Sequence, residues 1–342
     1  MAKPEILFLQ QEDVIAAGAL DMKATLEDAE NTFKLWAEGQ LKNMMKVSML
    51  LPDEQHERAF FNSMPAYVGG CRNVAGIKWA AESRENIDNP EMPTGVDITI
   101  LSDPHTALPV CILDGTIITA MRTSASAGVA AKYLARKDTK KACFVGAGII
   151  GRTMVMAMSE SLPQLEEILI YDLNHEKSST LAAEYEAKNF SVKVSSTDDL
   201  AQAVSEADLV VTMTSTRTPF MREEWLKKNA MVIQMGPNEL LPEVIKGADR
   251  LVTDSFEELK NIEISAIGKL CMKGELHEED ATDLKEIVSG KAAGRVSDDE
   301  RIVYCSLGIG AMDMLISERL YRKAQEMSIG TKVVLWDKPL WI

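Results

Sequence analysis

Val145-Gly146-Ala147-Gly148-Ile149-Ile150-Gly151 lies near the middle of a 342-residue chain. It follows an apolar run, Ala142 to Val145, and opens a helix-like stretch, Arg152 to Ser159. A second apolar run, Ile168 to Tyr171, ends in Asp172. Glycines spaced G-x-G-x-x-G between a strand and a helix, with an acid about twenty residues on, form the fingerprint of a dinucleotide-binding turn. Gly146 permits the tight turn out of the strand, and Gly148 lets backbone approach a pyrophosphate. Gly151 allows the helix to pack closely on the strand. The helix start, with Ala147, Ile149 and Ile150, offers N–H groups to the anion. Asp172 would accept hydrogen bonds from ribose hydroxyls and repel a 2′-phosphate. Leu173-Asn174-His175 supplies no arginine to receive one. NAD is therefore expected rather than NADP.

Outward from the loop, strand-like and helix-like runs alternate. The strand-like runs are 142–145, 168–171, 191–195, 208–213, 230–235 and 250–254. Helix-like runs at 151–160, 175–187, 198–206, 222–227 and 256–260 separate them. Such alternation predicts an α/β fold with a doubly wound parallel sheet, a Rossmann domain. Strand ends in such sheets face the ligand crevice. That places Thr214-Ser215-Thr216 and Met235-Gly236 as cofactor-binding candidates.

Upstream the texture differs. Leu26, Ala29, Phe33 and Trp36 recur at helical spacing after a cap at Asp21, predicting a helix over 22–38. Short β-like runs then follow at Val47-Leu51, Ala59-Asn62, Ala75-Trp79, Val96-Leu101 and Pro109-Leu113. An alanine-rich helix is expected over Thr119 to Leu134. After Asp280 the pattern reads as helical, ending in an apolar tail, Val333 to Ile342. The expected organisation is a discontinuous α+β domain, residues 1–120 with 305–342, around a dinucleotide-binding domain, residues 121–304.

Composition limits the function classes. A hydrophobic content of 46% and a charged content of 26% suit a soluble globular protein. The net charge of −15 argues against nucleic-acid and anionic-membrane partners. The N-terminus lacks a signal layout, and no apolar run approaches ~18 residues. Cys71, Cys111, Cys143, Cys271 and Cys305 are scattered, as are His56, His105, His175 and His277. Buried thiols, no metal site and a cytoplasmic protein are expected.

Two polar residues stand in apolar surroundings. Alone, Lys78 reads as a surface lysine of a half-buried strand, or as one held in a pocket. Arg122, opening the alanine-rich helix, reads as an ion-pair arginine or as a planar fork for a carboxylate. Lys46, Arg72 and Arg84 read as solvated charge. No Ser/His/Asp or Cys/His constellation suggests acyl transfer.

The chain resembles the ornithine cyclodeaminase/mu-crystallin family. The residues that carry the resemblance are Met64-Pro65-Ala66-Tyr67, Lys78, Leu113-Asp114-Gly115, Thr119, Arg122-Thr123, Gly146-Ala147-Gly148, Ser306-Leu307-Gly308 and Asp313. The resemblance implies a homodimer in which the discontinuous domain binds substrate and partner subunit and the middle domain binds NAD(H) or NADP(H). It also implies chemistry at a carbon bearing nitrogen: imine reduction, amino-acid dehydrogenation, or cyclisation of ornithine to proline with loss of ammonia. By the family pattern Lys78 is the acid/base and Arg122 grips the α-carboxylate. Met64 and Lys46 would border the substrate, Lys46 standing where relatives carry an arginine. Thr123, Ser306 and Gly308 would contact the cofactor. Asn238 falls where cyclodeaminases carry a loop aspartate; asparagine is no base, although Glu239 could serve if the shorter loop turns it inward. An NAD-dependent imine reductase or amino-acid dehydrogenase is therefore expected ahead of ornithine cyclodeaminase. A non-catalytic, crystallin-like NAD(P)H-binding protein is the reading from another class.

Overall fold

The structure, a computed structural model, describes residues 4–50, 59–83, 85, 86, 89, 91–188 and 190–341. His56, Arg84 and the run ends at Leu51 and Ile342 lie outside the described residues. The first segment holds β1 (Glu5–Leu9), α1 (Gln11–Ala16), α2 (Met22–Ala37), β2 (Leu41–Asn43), β3 (Val47–Leu50), β4 (Ala59–Val68), β5 (Val74–Ser83), β6 (Gly95–Ser102), β7 (Pro109–Asp114) and α3 (Thr116–Leu134). The middle begins with β8 (Lys141–Val145), α4 (Ile149–Ser161), β9 (Glu167–Tyr171), α5 (His175–Ala187), β10 (Lys193–Ser196), α6 (Leu200–Glu206) and β11 (Leu209–Thr212). It continues with β12 (Met231–Gln234), α7 (Pro242–Lys246), β13 (Arg250–Thr253), α8 (Phe256–Lys260), α9 (Ala266–Met272), β14 (Ala281–Asp283), α10 (Leu284–Val288) and β15 (Ile302–Cys305). The tail adds α11 (Gly310–Met327) and β16 (Thr331–Val334). The chain divides into two compact units, Met1–Arg122 with Ile309–Ile342, and Thr123–Gly308.

The first unit is α+β. Its sheet runs β16-β1-β7-β6-β5-β4-β2, with β3 also pairing β4. Among the described residues of this sheet only β1 and β7 pair in parallel. Helix α2 starts where its cap predicts, with the Asp21 carboxylate accepting from Ala24 N at 3.0 Å. Helix α11 covers one face of the sheet, and Gly76 makes the close approach possible: a Cβ there would lie 2.6 Å from Met314 Sδ. The alternation on β6 inverts the usual reading of a half-buried strand. Asp97, Thr99 and Leu101 face inward, whereas Val96 and Ile98 are exposed.

The second unit is a sheet of parallel strands ordered β10-β9-β8-β11-β12-β15-β13-β14. Strand order reverses at β8, which lies between β9 and β11, and Gly146 leaves the C-terminal end of β8. This is the topological switch point at which doubly wound sheets take ligands.

The chain after Asp280 departs from the helical expectation. β14 and β15 are strands, and β15 inserts between β12 and β13 with all four residues buried. A four-residue run buried on both faces carries no period-2 signal, so periodicity cannot separate it from a buried helix turn. The expected apolar tail contains an edge strand, β16, pairing antiparallel with β1.

Candidate active site

In the first unit the site is built on β5, β6, α3 and α11. Strand alternation turns Lys78 inward while Trp79 faces out and stacks on Phe61 at 5.6 Å. Lys78 is 1% exposed, which overturns its reading as a surface lysine. Neighbouring positions on the same face bring in Met64 from β4 and Thr99 from β6. Helix α11 contributes Asp313 and α3 contributes Thr119 and Arg122.

The geometry is an alternation of charge. Lys78 Nζ donates to Asp313 Oδ1 at 3.0 Å and to Thr119 Oγ1 at 3.1 Å. Arg122 Nε donates to the same Asp313 oxygen at 3.3 Å. Thr119 Oγ1 also donates to Asp97 Oδ2 in a short hydrogen bond, and Asp97 lies 4.0 Å from Lys78 Nζ. Two cations thus face two carboxylates, and all four are buried. Among the described residues Arg122 has no other side-chain partner, so its two terminal nitrogens remain for a ligand.

Burial drives the Lys78 pKa down, and the Arg122 charge pushes it further down against the pull of Asp313 and Asp97. Burial raises the Asp97 pKa, with Lys78 opposing. Asp313 Oδ2 and Thr99 Oγ1 are buried without a protein partner among the described residues. Unpaired polar atoms beside a buried amine mark a place for a polar ligand or water.

Lys46, between β2 and β3, is half-buried. Arg72, read as solvated, instead pairs with Glu318 at 2.8 Å. Its neighbour in that network, Asp28, is buried and bonded to Arg319 at 2.5 Å.

In the second unit each loop glycine has a distinct reason. Gly146 adopts φ +114°, and a Cβ there would lie 2.7 Å from Met213 O. A Cβ on Gly151 would lie 2.5 Å from Gly146 O. Gly148 has open space where a Cβ would stand, and it caps α4 with no side-chain hydrogen bond. Among the described residues no atom within 4 Å requires glycine there. The open backbone at this helix start has the room and the N–H donors that a dinucleotide pyrophosphate would need. Asp172 steadies the loop, accepting from Ala147 N at 2.8 Å. Ile149 is exposed at the helix start, with Ile150 beside it.

Two buried carboxylates brace the other predicted loops. Glu239 accepts from Thr212 Oγ1 at 2.7 Å, Thr214 N at 2.5 Å, Thr214 Oγ1 at 2.7 Å and Gly236 N at 2.8 Å. It joins the loop after β11, with Ser215 and Thr216, to the loop after β12, with Met235. Asn238 is also buried, donating from Nδ2 to Arg217 O at 2.5 Å. Asp254 accepts from Ser306 Oγ at 2.8 Å, Leu307 N at 2.8 Å and Gly308 N at 2.6 Å. Gly308 has φ +82°. Thr123, the first residue of this unit, is half-buried on α3.

Sequence reading missed Asp97 and Asp254 and gave Asp313 no role. For Asp97 a signal existed: acidic and hydroxyl residues alternating with Val96, Ile98 and Ile100 in a strand. Asp254 carried none. The cysteines divide, with Cys111, Cys143 and Cys305 buried, Cys271 half-buried and Cys71 exposed. Among the described residues no group of three or more His, Cys, Asp or Glu is placed to hold a metal, and no helix is long and apolar enough to cross a membrane.

A parallel sheet with a glycine turn at its switch point, joined to an α+β unit holding a buried Lys–Arg–carboxylate cluster, defines a two-unit dinucleotide-binding oxidoreductase fold. Residues 5–328 match the ornithine cyclodeaminase/mu-crystallin family, and the chain belongs to it. It superimposes on Δ1-pyrroline-2-carboxylate reductase of Thermococcus litoralis, solved with NADH and L-proline, with a TM-score of 0.88 and 30% identity, covering 96% of this chain and 100% of that one. An archaeal alanine dehydrogenase dimer with bound NAD gives a TM-score of 0.85 and 27% identity, covering 97% and 100% of the two chains. N-((2S)-2-amino-2-carboxyethyl)-L-glutamate dehydrogenase of Staphylococcus aureus is 27% identical, covering 97% of this chain and 99% of the relative.

Proposed function

We propose that this enzyme is an NAD(H)-dependent oxidoreductase that reduces a small α-imino acid, or oxidises the matching α-amino acid, at Cα. The observation that carries the reading is one carboxylate oxygen, Asp313 Oδ1, holding both Lys78 and Arg122 in a buried cluster. The reductase and dehydrogenases to which the chain is similar support the same class of substrate.

The residues divide the work. Arg122, fixed through Nε, turns its two free nitrogens to the substrate carboxylate as a bidentate fork. Lys78, with its pKa lowered by burial, gives a proton to the product nitrogen or takes one from the substrate ammonium. Met64 borders the reacting carbon, and Lys46 supplies a point charge where a guanidinium would have gripped in two places. NAD(H), when bound, accepts or delivers the hydride. The second unit would hold it through Gly146, Ala147, Gly148, Ile149, Ile150 and Asp172, with Thr123, Ser215, Thr216, Met235, Gly236, Ser306 and Gly308 lining the same sheet end. Asp172 supports NAD over NADP.

Simple reduction or dehydrogenation is favoured over cyclodeamination. Asn238 is not a base, and the Glu239 carboxylate is fully engaged by four donors. A homodimer is supported by the apolar outer face of the first sheet, where Val47, Met49, Trp79, Val96 and Ile98 stand exposed.

The test is an NADH-oxidation screen of cyclic imines and of keto acids paired with amines. Turnover is expected with at least one carboxylate-bearing imine. Ammonia and proline from ornithine with catalytic NAD would favour the cyclodeaminase instead. Tight NADH binding with no turnover on any substrate would leave the crystallin-like reading.

A further inference from the structure

We propose that Asp97, acting through the Thr119 hydroxyl, is the proton partner of Lys78, so that the three residues form a relay inside the first unit. The relay rests on Lys78 being the acid/base, as above. Lys78 Nζ donates to Thr119 Oγ1 at 3.1 Å, and the same oxygen donates to Asp97 Oδ2. The hydroxyl accepts from the amine and donates to the carboxylate, the arrangement a proton transfer across it requires. The direct Lys78–Asp97 separation of 4.0 Å is too long for a hydrogen bond.

The transfer balances without an outside reactant. A Lys78 N–H bond breaks as a Thr119 O–H bond forms, and the original Thr119 proton passes to Asp97 Oδ2. The products are a neutral amine, an intact hydroxyl and a carboxylic acid. In that state Lys78 can take a proton from a substrate ammonium. The reverse shift recharges it for donation to a product nitrogen.

The fold builds this path deliberately. Gly115 N donates to Asp97 O at 2.8 Å, and Asp97 N donates to Thr116 Oγ1 at 3.1 Å, locking β6 to the turn that starts α3. A Cβ on Gly115 would stand 3.1 Å from Asp97 Cβ. Thr119 follows one turn into α3. Asp313 is placed differently: its Oδ1 accepts directly from both cationic side chains, with no hydroxyl between. The charged groups facing Asp97 are Lys78 from β5, Arg122 from α3 and Asp313 from α11. Burial raises the Asp97 pKa and lowers that of Lys78, bringing their proton affinities together.

Asp97 and Thr119 act through Lys78 and are positioning residues, so the test needs a readout that packing alone would not move. In the full chain labelled with 13C at lysine Cε and aspartate carboxyl, the Lys78 and Asp97 signals should both follow the same two titration steps, as coupled groups do. Thr119→Ser should keep those shared steps, whereas in Thr119→Val each signal should follow a single step of its own. On an imine the wild type reduces, Thr119→Val should lose about 100-fold in kcat with KM nearly unchanged, and Thr119→Ser should restore most of it. Shared titration steps that survive Thr119→Val, or a Thr119→Ser as impaired as the valine, overturns the relay. Should Thr119→Val not fold, Asp97→Asn replaces it: a Lys78 titration moved downward by loss of the neighbouring anion supports the relay, and an unmoved one refutes it. A wild type that reduces no imine would remove the functional reading while leaving the NMR result to decide the relay.

Discussion

The two units bury carboxylates in opposite ways. In the first, Asp97 and Asp313 stand against Lys78 and Arg122, charge against charge, with one Asp313 oxygen left unpaired among the described residues. In the second, backbone N–H groups and hydroxyls donate to Glu239 and Asp254. Neutral donors fix a carboxylate's shape and consume its lone pairs, which makes a staple between loops. Paired cations leave donors for a ligand, which the proposed chemistry needs. Buried acids alone do not mark an active site; what surrounds them does.

Substitutions can break that contrast. The largest expected effect is Lys78→Ala, which should lower kcat about 1,000-fold while NADH affinity, read by fluorescence, stays nearly unchanged. Equal loss of cofactor binding would make Lys78 a structural residue. Its depressed pKa adds a stability signature. Between that lowered value and a free lysine's 10.5 the folded chain holds fewer protons than the unfolded chain, so stability should rise with pH across this window. In Lys78→Met, urea unfolding at about pH 8 and about pH 10 should show that rise flattened.

Next in size is Asp254→Ala, a test of the staple. It removes the acceptor of the Leu307 and Gly308 N–H groups and should cost about 2–4 kcal/mol in urea melts. Activity per folded molecule should fall far less than in Lys78→Ala; a loss as deep would erase the distinction between staple and catalyst.

Gly148→Ala sharpens the reading of the glycine loop. A methyl meets nothing within 4 Å there, so the melting temperature should hold while NADH affinity drops about tenfold. Retained affinity would show that no ligand presses on that backbone. The smallest effect is expected for Asp172→Ala, which should narrow the preference for NADH over NADPH to within about tenfold. An unchanged ratio of the two affinities would place the discrimination elsewhere.

The glycine loop was legible because its chemistry is local: turn, helix start and acid follow one another along the chain. Asp21 and α2 were legible for the same reason. β15 was not, since four apolar residues buried on both faces look alike as strand or helix. Lys78 and Arg122 could be singled out, yet the lysine alone read as exposed. Its burial depends on strand register and on α11, which returns from 235 residues away to set Asp313 against it.

The sequence by itself determined the dinucleotide turn, the alternation of the middle unit and the family, because these reside in contiguous spacing. Only the tertiary structure decided that Asp97, Thr119, Arg122 and Asp313 converge on one buried amine and that Glu239 and Asp254 are braces. Proton affinity and hydrogen-bond capacity depend on what surrounds a group in space, and strands and helices distant in the chain supply those surroundings.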